Sequence, residues 1–278
     1  MYLRPGTLSE ACEALAAHPL RILAGGTDFY PSLGDGPAPP AILDVTALPE
    51  LEGVSLGEDT IRIGARTTWT QLRAAELPPG FDALKGAARE VGSVQIQNVA
   101  TIGGNLCNAS PAADGVPPLL CLDAAVELAS AAGRRRMPLA TFLRGVRSTE
   151  RRQDEILTAV IVPRRAASGR SVFAKLGGRR YLVISVVSTA VRLVADEEGR
   201  IAEAAVAVGS CSVAARRLPA LEAALVGRPV EAALASVVEP AHLAPLSPID
   251  DVRGSAAYRL DAAAALVGRA LAACGACP

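Results

Sequence analysis

Apolar positions along this chain come in short blocks with two periods, and the alternation of those periods predicts a mixed α and β protein. Residues 7–18, TLSEACEALAAH, space their apolar side chains as a helix does. Thr7 stands three residues before Glu10, the spacing at which a hydroxyl and a carboxylate satisfy each other's helix-end N–H groups. The run LRIL that follows is of strand length and breaks at Gly25-Gly26, where the absence of Cβ permits a tight turn. AILDVT, VSLG and TIRIGA read as further short strands, and Thr67–Glu76 and Phe81–Val91 as helices.

Past residue 120 the pattern changes. LDAAVELAS fits strand or helix by periodicity alone, whereas EILTAVIVP reads as a strand closed by Pro163. Residues 163–169, PRRAASG, are polar and bounded by Pro and Gly, which places a domain boundary near residue 165. Beyond it two apolar runs flank the charged turn ADEEGR, as an antiparallel pair would. Three Ala-rich segments, about 214–226, 230–241 and 255–273, predict helices at the end of the chain. A larger α/β part therefore precedes a smaller α+β part.

Composition narrows the function. The 278 residues carry 28 acidic and 28 basic side chains, a balance that argues against a phosphate-neutralising nucleic-acid grip and against a polybasic membrane surface. No run of apolar residues is long enough for a membrane span, and MYLRPGTLSE has no signal-peptide core, so the expected compartment is the cytoplasm. Six cysteines at 12, 107, 121, 211, 274 and 277 are scattered rather than framed for disulfides. The pair Cys274/Cys277 has no second pair to complete a metal or cluster site, and is read as a frayed tail. His18 and His242 are the only histidines, and neither Lys85 nor Lys175 follows a glycine as a Walker lysine does. Multi-histidine metal sites, P-loops and G-x-G-x-x-G nucleotide sites are thereby set aside.

Two glycine-rich turns remain, AGGTD at 24–28 and TIGGN at 101–105, each after an apolar run that reads as a strand. Successive N–H groups in such turns converge on anions, and glycine lets phosphate oxygens approach the backbone. Thr27, Thr101 and Asn105 add side-chain donors, and Asp28 or Asp114 could accept from a sugar hydroxyl. Lying about 75 residues apart, the two turns suit a long ligand clamped from both sides, such as the dinucleotide FAD.

ILAGGTDF, followed by VGSVQIQNVATIGGNLCNASPAAD, resembles the two FAD-binding loops of the flavoprotein (medium) subunits of the molybdenum hydroxylases, the family of xanthine, carbon monoxide and nicotinate dehydrogenases. The likeness continues through EILTAVIVP, FAKLGGRRYLVISVVSTAVRL and PIDDVRGSAAYRLDAAAALVGRAL. It implies an α+β protein: a vanillyl-alcohol-oxidase-type FAD-binding domain of two α/β subdomains over residues 1–165, then a C-terminal domain, 166–278, with a three-stranded antiparallel sheet and helices.

By the same resemblance the first loop comprises Ile22, Leu23, Ala24, Gly25, Gly26, Thr27, Asp28 and Phe29, and the second Thr101, Ile102, Gly103, Gly104 and Asn105. Asp114 and Leu157 match FAD contacts, and Lys175 a basic residue on the flavin side. Ser110 matches either a ligand or a turn-former, Val91 stands where some relatives carry an aromatic, and Tyr30 and Tyr181 are candidates to cover the ring. No catalytic or metal-ligating residue is expected on this chain. The family arrangement implies a large subunit with the molybdenum cofactor, a small subunit with two [2Fe–2S] clusters, a dimer of such heterotrimers, and electrons leaving FAD for an external acceptor. NAD, dioxygen, a quinone and a redox protein are all compatible as that acceptor. A flavin-free scaffold of the same fold and a stand-alone flavin oxidoreductase are the alternatives; an uncoloured purified protein would favour the first, and a substrate pocket with its own acid–base residues the second.

Overall fold

The computed structural model describes residues 1–276, so Cys277 of the C-x-x-C lies outside the described residues. The first helix, Leu8–Ala17, begins at Thr7 with the reciprocal cap its spacing predicts. Arg21–Leu23 and Ile42–Asp44 pair in parallel, and Tyr2–Leu3 completes a three-stranded parallel sheet with Ile42–Asp44 at its centre.

A second, antiparallel sheet has five strands in the order Val54–Leu56, Thr60–Gly64, Ile156–Pro163, Ala125–Ser130 and Gly133–Pro138. LDAAVELAS therefore resolves as a strand. Its partner Ile156–Pro163 is central and buried along nearly its whole length, which explains its unbroken apolar sequence. Between Leu157 and Ala159 the register slips by one residue against Ala125–Ser130. Thr158, the extra residue, is fully buried and donates its hydroxyl to the backbone oxygen and carboxylate of Glu127. Such a bulge bends the strand and re-aims the neighbouring side chain, here Leu157.

The C-terminal part departs from expectation in two respects. Arg170–Leu176, Val187–Ala195 and Ile201–Gly209 form the long antiparallel strands, joined by the charged turn as predicted, but the two residues Arg216–Arg217 add a fourth strand at the edge. That strand takes the start of the first Ala-rich segment, leaving Pro219–Leu225 as its helix. The second Ala-rich segment is not an α-helix but the 3-10 turns Ala232–Val237 and Pro240–Leu243. Val230 N–H is bound to the Gly199 carbonyl at 3.0 Å, and Pro240, which has no N–H to donate, opens the second of these turns. Ala256–Gly275 is the long helix expected, and it lies across Val187–Ala195 and Arg170–Leu176. Cys274, near its end, is buried with Sγ 3.5 Å from the Arg170 carbonyl.

Two apolar clusters result. One joins residues from Leu8 to Ala214, with Trp69, Phe81 and Phe142 among its largest members. The other is built wholly from residues 186–274. Among the described residues, no helix is long and apolar enough to cross a membrane, and no group of three or more His, Cys, Asp or Glu is placed to hold a metal ion.

Candidate functional site

Both glycine-rich segments border one cleft of about 1480 Å³. The first leaves the end of Arg21–Leu23 as predicted, with Gly26 at φ +76° in the left-handed region. Gly25 is packed against the chain just ahead of the second segment: a Cβ there would stand 1.9 Å from the Val99 carbonyl oxygen. The N–H groups of Gly25, Gly26, Thr27 and Asp28 find no acceptor among the described residues. They form a run of unmatched donors on a loop that borders the cleft.

The second segment differs from its sequence reading. Val94–Val99 before it is a short helix, not a strand, and TIGGN is the start of another helix, Ile102–Asn108. Thr101 caps that helix, accepting the Gly104 N–H at 3.0 Å. Ile102 N–H goes to the Thr67 carbonyl at 3.0 Å and Gly103 N–H to the Ala65 carbonyl at 2.8 Å. These donors are spent inside the protein, so the expected convergence of N–H groups on an anion does not hold here. Gly103 instead allows contact: a Cβ would lie 2.7 Å from Ala65. The second segment gives the cleft Thr101, Gly103, Gly104 and Asn105, and the Asn105 Oδ1 is buried with no hydrogen-bond partner.

Of the residues singled out from the sequence, Ile22, Ala24 through Phe29, Thr101, Gly103, Gly104, Asn105 and Leu157 line this cleft. Leu157 does so from the bulge of the central strand. Leu23 and Ile102 are buried and are not part of the lining. Ser110 accepts the Ala112 N–H at 3.3 Å, the bond of a turn-former.

Asp114 and Lys175 are brought together outside the lining. Lys175 Nζ lies 2.6 Å from Asp114 Oδ2, both side chains are less than a tenth exposed, and Ser185 donates to Asp114 Oδ1 at 2.6 Å. Burial pushes the Asp114 carboxyl above its ordinary value, against the opposing pull of Lys175 and Ser185. Each residue is the other's main charge partner. Val91 lines the cleft, while Tyr30 and Tyr181 are exposed and do not.

Other lining residues carry no local sequence signal, because each arrives from a distant element. Arg21, Arg66, Arg147 and Arg151 face only two acidic residues of the lining, Asp28 and Asp154. Arg66 is paired with Glu52. Arg21 sits 4.7 Å over the Phe29 ring and donates to Ser32, and Arg151 donates to the carbonyls of Arg152 and Glu155. The cleft is thus positively charged, a field suited to a ligand with phosphates.

Comparison with known proteins places this geometry. Residues 1–165 match the family described as the FAD binding domain in molybdopterin dehydrogenase, and residues 173–274 the CO dehydrogenase flavoprotein C-terminal domain. Over 206 residues the chain is 40% identical to the nicotinate dehydrogenase FAD-subunit of Eubacterium barkeri, covering 71% of this chain and 70% of that one. It is 33% identical over 264 residues to a putative xanthine dehydrogenase FAD-binding subunit of Escherichia coli (strain K12), covering 93% and 90%. Its fold superposes on a chain of carbon monoxide dehydrogenase from Hydrogenophaga pseudoflava with a TM-score of 0.86 at 26% identity, over 99% of this chain and 98% of the other. The chain belongs to the FAD-binding subunits of the molybdenum-dependent dehydrogenases, a family of oxidoreductases.

Proposed function

We propose that this chain is the electron-exit subunit of a three-subunit molybdenum hydroxylase. On this reading it takes electrons from the [2Fe–2S] clusters of a small partner subunit and passes them through FAD to an external acceptor, while a large subunit holds the molybdenum cofactor. The observation that carries it is the cleft itself: a run of unmatched N–H donors from Gly25 to Asp28, set by glycine contact against a second, rigid segment, in a lining with four arginines and two aspartates.

The residues present fit FAD. Unpaired donors on the first loop match phosphate oxygens, and the glycines leave room for their approach. The lone Asn105 amide and the Thr101 hydroxyl offer hydrogen bonds to a polyol, and Leu157 with Val91 supplies an apolar wall for a ring. The Asp114–Lys175 pair, buried and internally neutralised, would brace the ring end of the site rather than present a free cation to it. When bound, FAD supplies a carrier that takes electrons singly and hands on one or two. The chain's own contribution is to hold and orient that carrier between a cluster and an acceptor.

The parallel three-stranded and antiparallel five-stranded sheets support two subdomains of the vanillyl-alcohol-oxidase type within residues 1–165, and the second apolar cluster supports a separate domain over 166–278. A dimer of heterotrimers in the cytoplasm completes the proposal. Its test is the absorption spectrum of the purified full chain, with and without added FAD, followed by chromatography of any nucleotide released on denaturation. One FAD per chain is expected. Co-purification should then recover one subunit with molybdenum and one with iron and sulfide; a chain that takes up no FAD, alone or with those partners, would refute the reading.

A further inference from the structure

We infer that Arg147 is a phosphate-binding residue of this cleft, the cation that meets the cofactor's diphosphate and spans the two loops that enclose it. The inference rests on the FAD reading above and adds a residue that neither glycine-rich segment contains. Arg147 sits in the hairpin whose strands are Leu143–Gly145 and Ser148–Thr149, and it lines the cleft.

Its backbone is in the left-handed region, φ +54°, an unfavourable place for a side chain with a Cβ. Its N–H is bound at 2.9 Å to the carbonyl of Ala109, which is itself left-handed at φ +45° at the end of the helix Ile102–Asn108. Two strained residues thus hold each other, and the result is a guanidinium placed over the cleft.

The surroundings of that guanidinium leave its charge available. It donates to the Asn108 side-chain oxygen, a neutral acceptor. Its nearest carboxylate is Asp28, at 4.0 Å the outer limit of an ion pair, and the Arg147 side chain is 57% exposed. Arg66, by contrast, is already paired with Glu52. Asp28 belongs to the run of unmatched N–H groups, so the guanidinium lies beside the donors that a diphosphate would meet. Asn108 stands on the helix opened by the second segment and Asp28 on the first, so Arg147 bridges both walls. A planar fork with five N–H donors can keep its bond to Asn108 and still give two to phosphate oxygens. It also offsets Asp28, whose carboxylate would otherwise repel the same phosphates.

Binding of FAD to the full chain, followed by flavin fluorescence at a series of salt concentrations, tests this directly. Arg147→Gln is expected to weaken FAD binding about 10- to 100-fold at low salt, the range for a lost charge-assisted hydrogen bond. It should also flatten the dependence of log Kd on log salt, since one screened charge contact is gone. Arg147→Lys should keep the slope and recover part of the affinity. A slope equal to that of the unaltered chain in Arg147→Gln, whatever the loss of affinity, would mean a structural clasp only and overturn the inference, as would no change at all. Circular dichroism of each variant separates loss of binding from loss of fold. Failure of the unaltered chain to bind FAD would overturn the functional reading and this assignment together; normal uptake with an unchanged slope in the variant overturns only the assignment.

Discussion

Gly25 lies against the carbonyl of Val99 so closely that a Cβ on the first would stand 1.9 Å from the oxygen of the second. The contact joins the two loops into one wall of the cleft, and it exists only because residue 25 has no side chain. Gly25→Ala should therefore separate the loops, destabilising the chain by about 1–3 kcal/mol as overpacking does. FAD content should fall further than stability predicts. Gly178→Ala, where a Cβ meets nothing within 4 Å, is the matched control and should change neither. Denaturant melts and the ratio of flavin to protein absorbance check both.

The Thr101 hydroxyl holds the first turn of Ile102–Asn108, and Thr101 is also part of the cleft lining. Thr101→Val should cost about 1 kcal/mol for the lost cap and reduce FAD affinity as well. Thr101→Ser should restore both. Thermal unfolding in the absence of FAD, set beside FAD titration, separates the two effects.

Breaking the Asp114–Lys175 pair from one side leaves a buried charge without its partner. Lys175→Met should destabilise the chain by about 3–5 kcal/mol. The double change Asp114→Asn with Lys175→Met should cost less than the sum of the two single changes, because it strands no charge. Urea melts of the three variants form the cycle, and strict additivity would count against the pairing.

Acid should act through Asp251. Its carboxylate accepts the Arg253 N–H at 2.8 Å and lies 2.7 Å from the Arg259 guanidinium, which hold its pKa at about 2. A carboxyl lowered by folding stabilises the protein above its unfolded pKa, and that contribution fades as pH falls through the folded value. The stabilisation should be complete above about pH 5 and gone near pH 1. Arg259 also ties this loop to the carbonyls of Val186 and Ser210 at 2.7 and 3.0 Å. Asp251→Asn should lower Tm at pH 6 and flatten the fall in Tm between pH 4 and pH 2; an unaltered acid limb would show that other carboxylates set it.

Local chemistry made much of this architecture readable. Thr7 and Glu10 cap their helix as spaced, Pro163 ends its strand, and the charged turn joins two antiparallel strands. The first glycine pair is a turn on the cleft because a strand and an open φ fix it there. The second glycine pair misled for a physical reason: Gly-Gly is a poor helix former, yet a Thr cap and a bond to Ala65 hold it helical. Those are tertiary facts. The extra residue Thr158, which turns Leu157 to the cleft, is likewise invisible in a continuous apolar run. Arg147 lies more than forty residues beyond the second loop and carries no motif. Ala-rich composition suggested one helix too many, because alanine's helix propensity is a weak preference that the tertiary setting overrides at Ala232–Val237.

The unequal use of backbone donors on the two loops bears on assembly. The helix opening at Thr101 has the amides of Ile102, Gly103 and Gly104 consumed by Thr67, Ala65 and Thr101 before any ligand arrives, so it can form as the chain folds. The stretch from Gly25 to Asp28 keeps its amides without an acceptor in the chain until something anionic arrives. A late-arriving cofactor would find half its seat rigid and would itself finish the other half, so that loading FAD is the last local act of folding in this subunit.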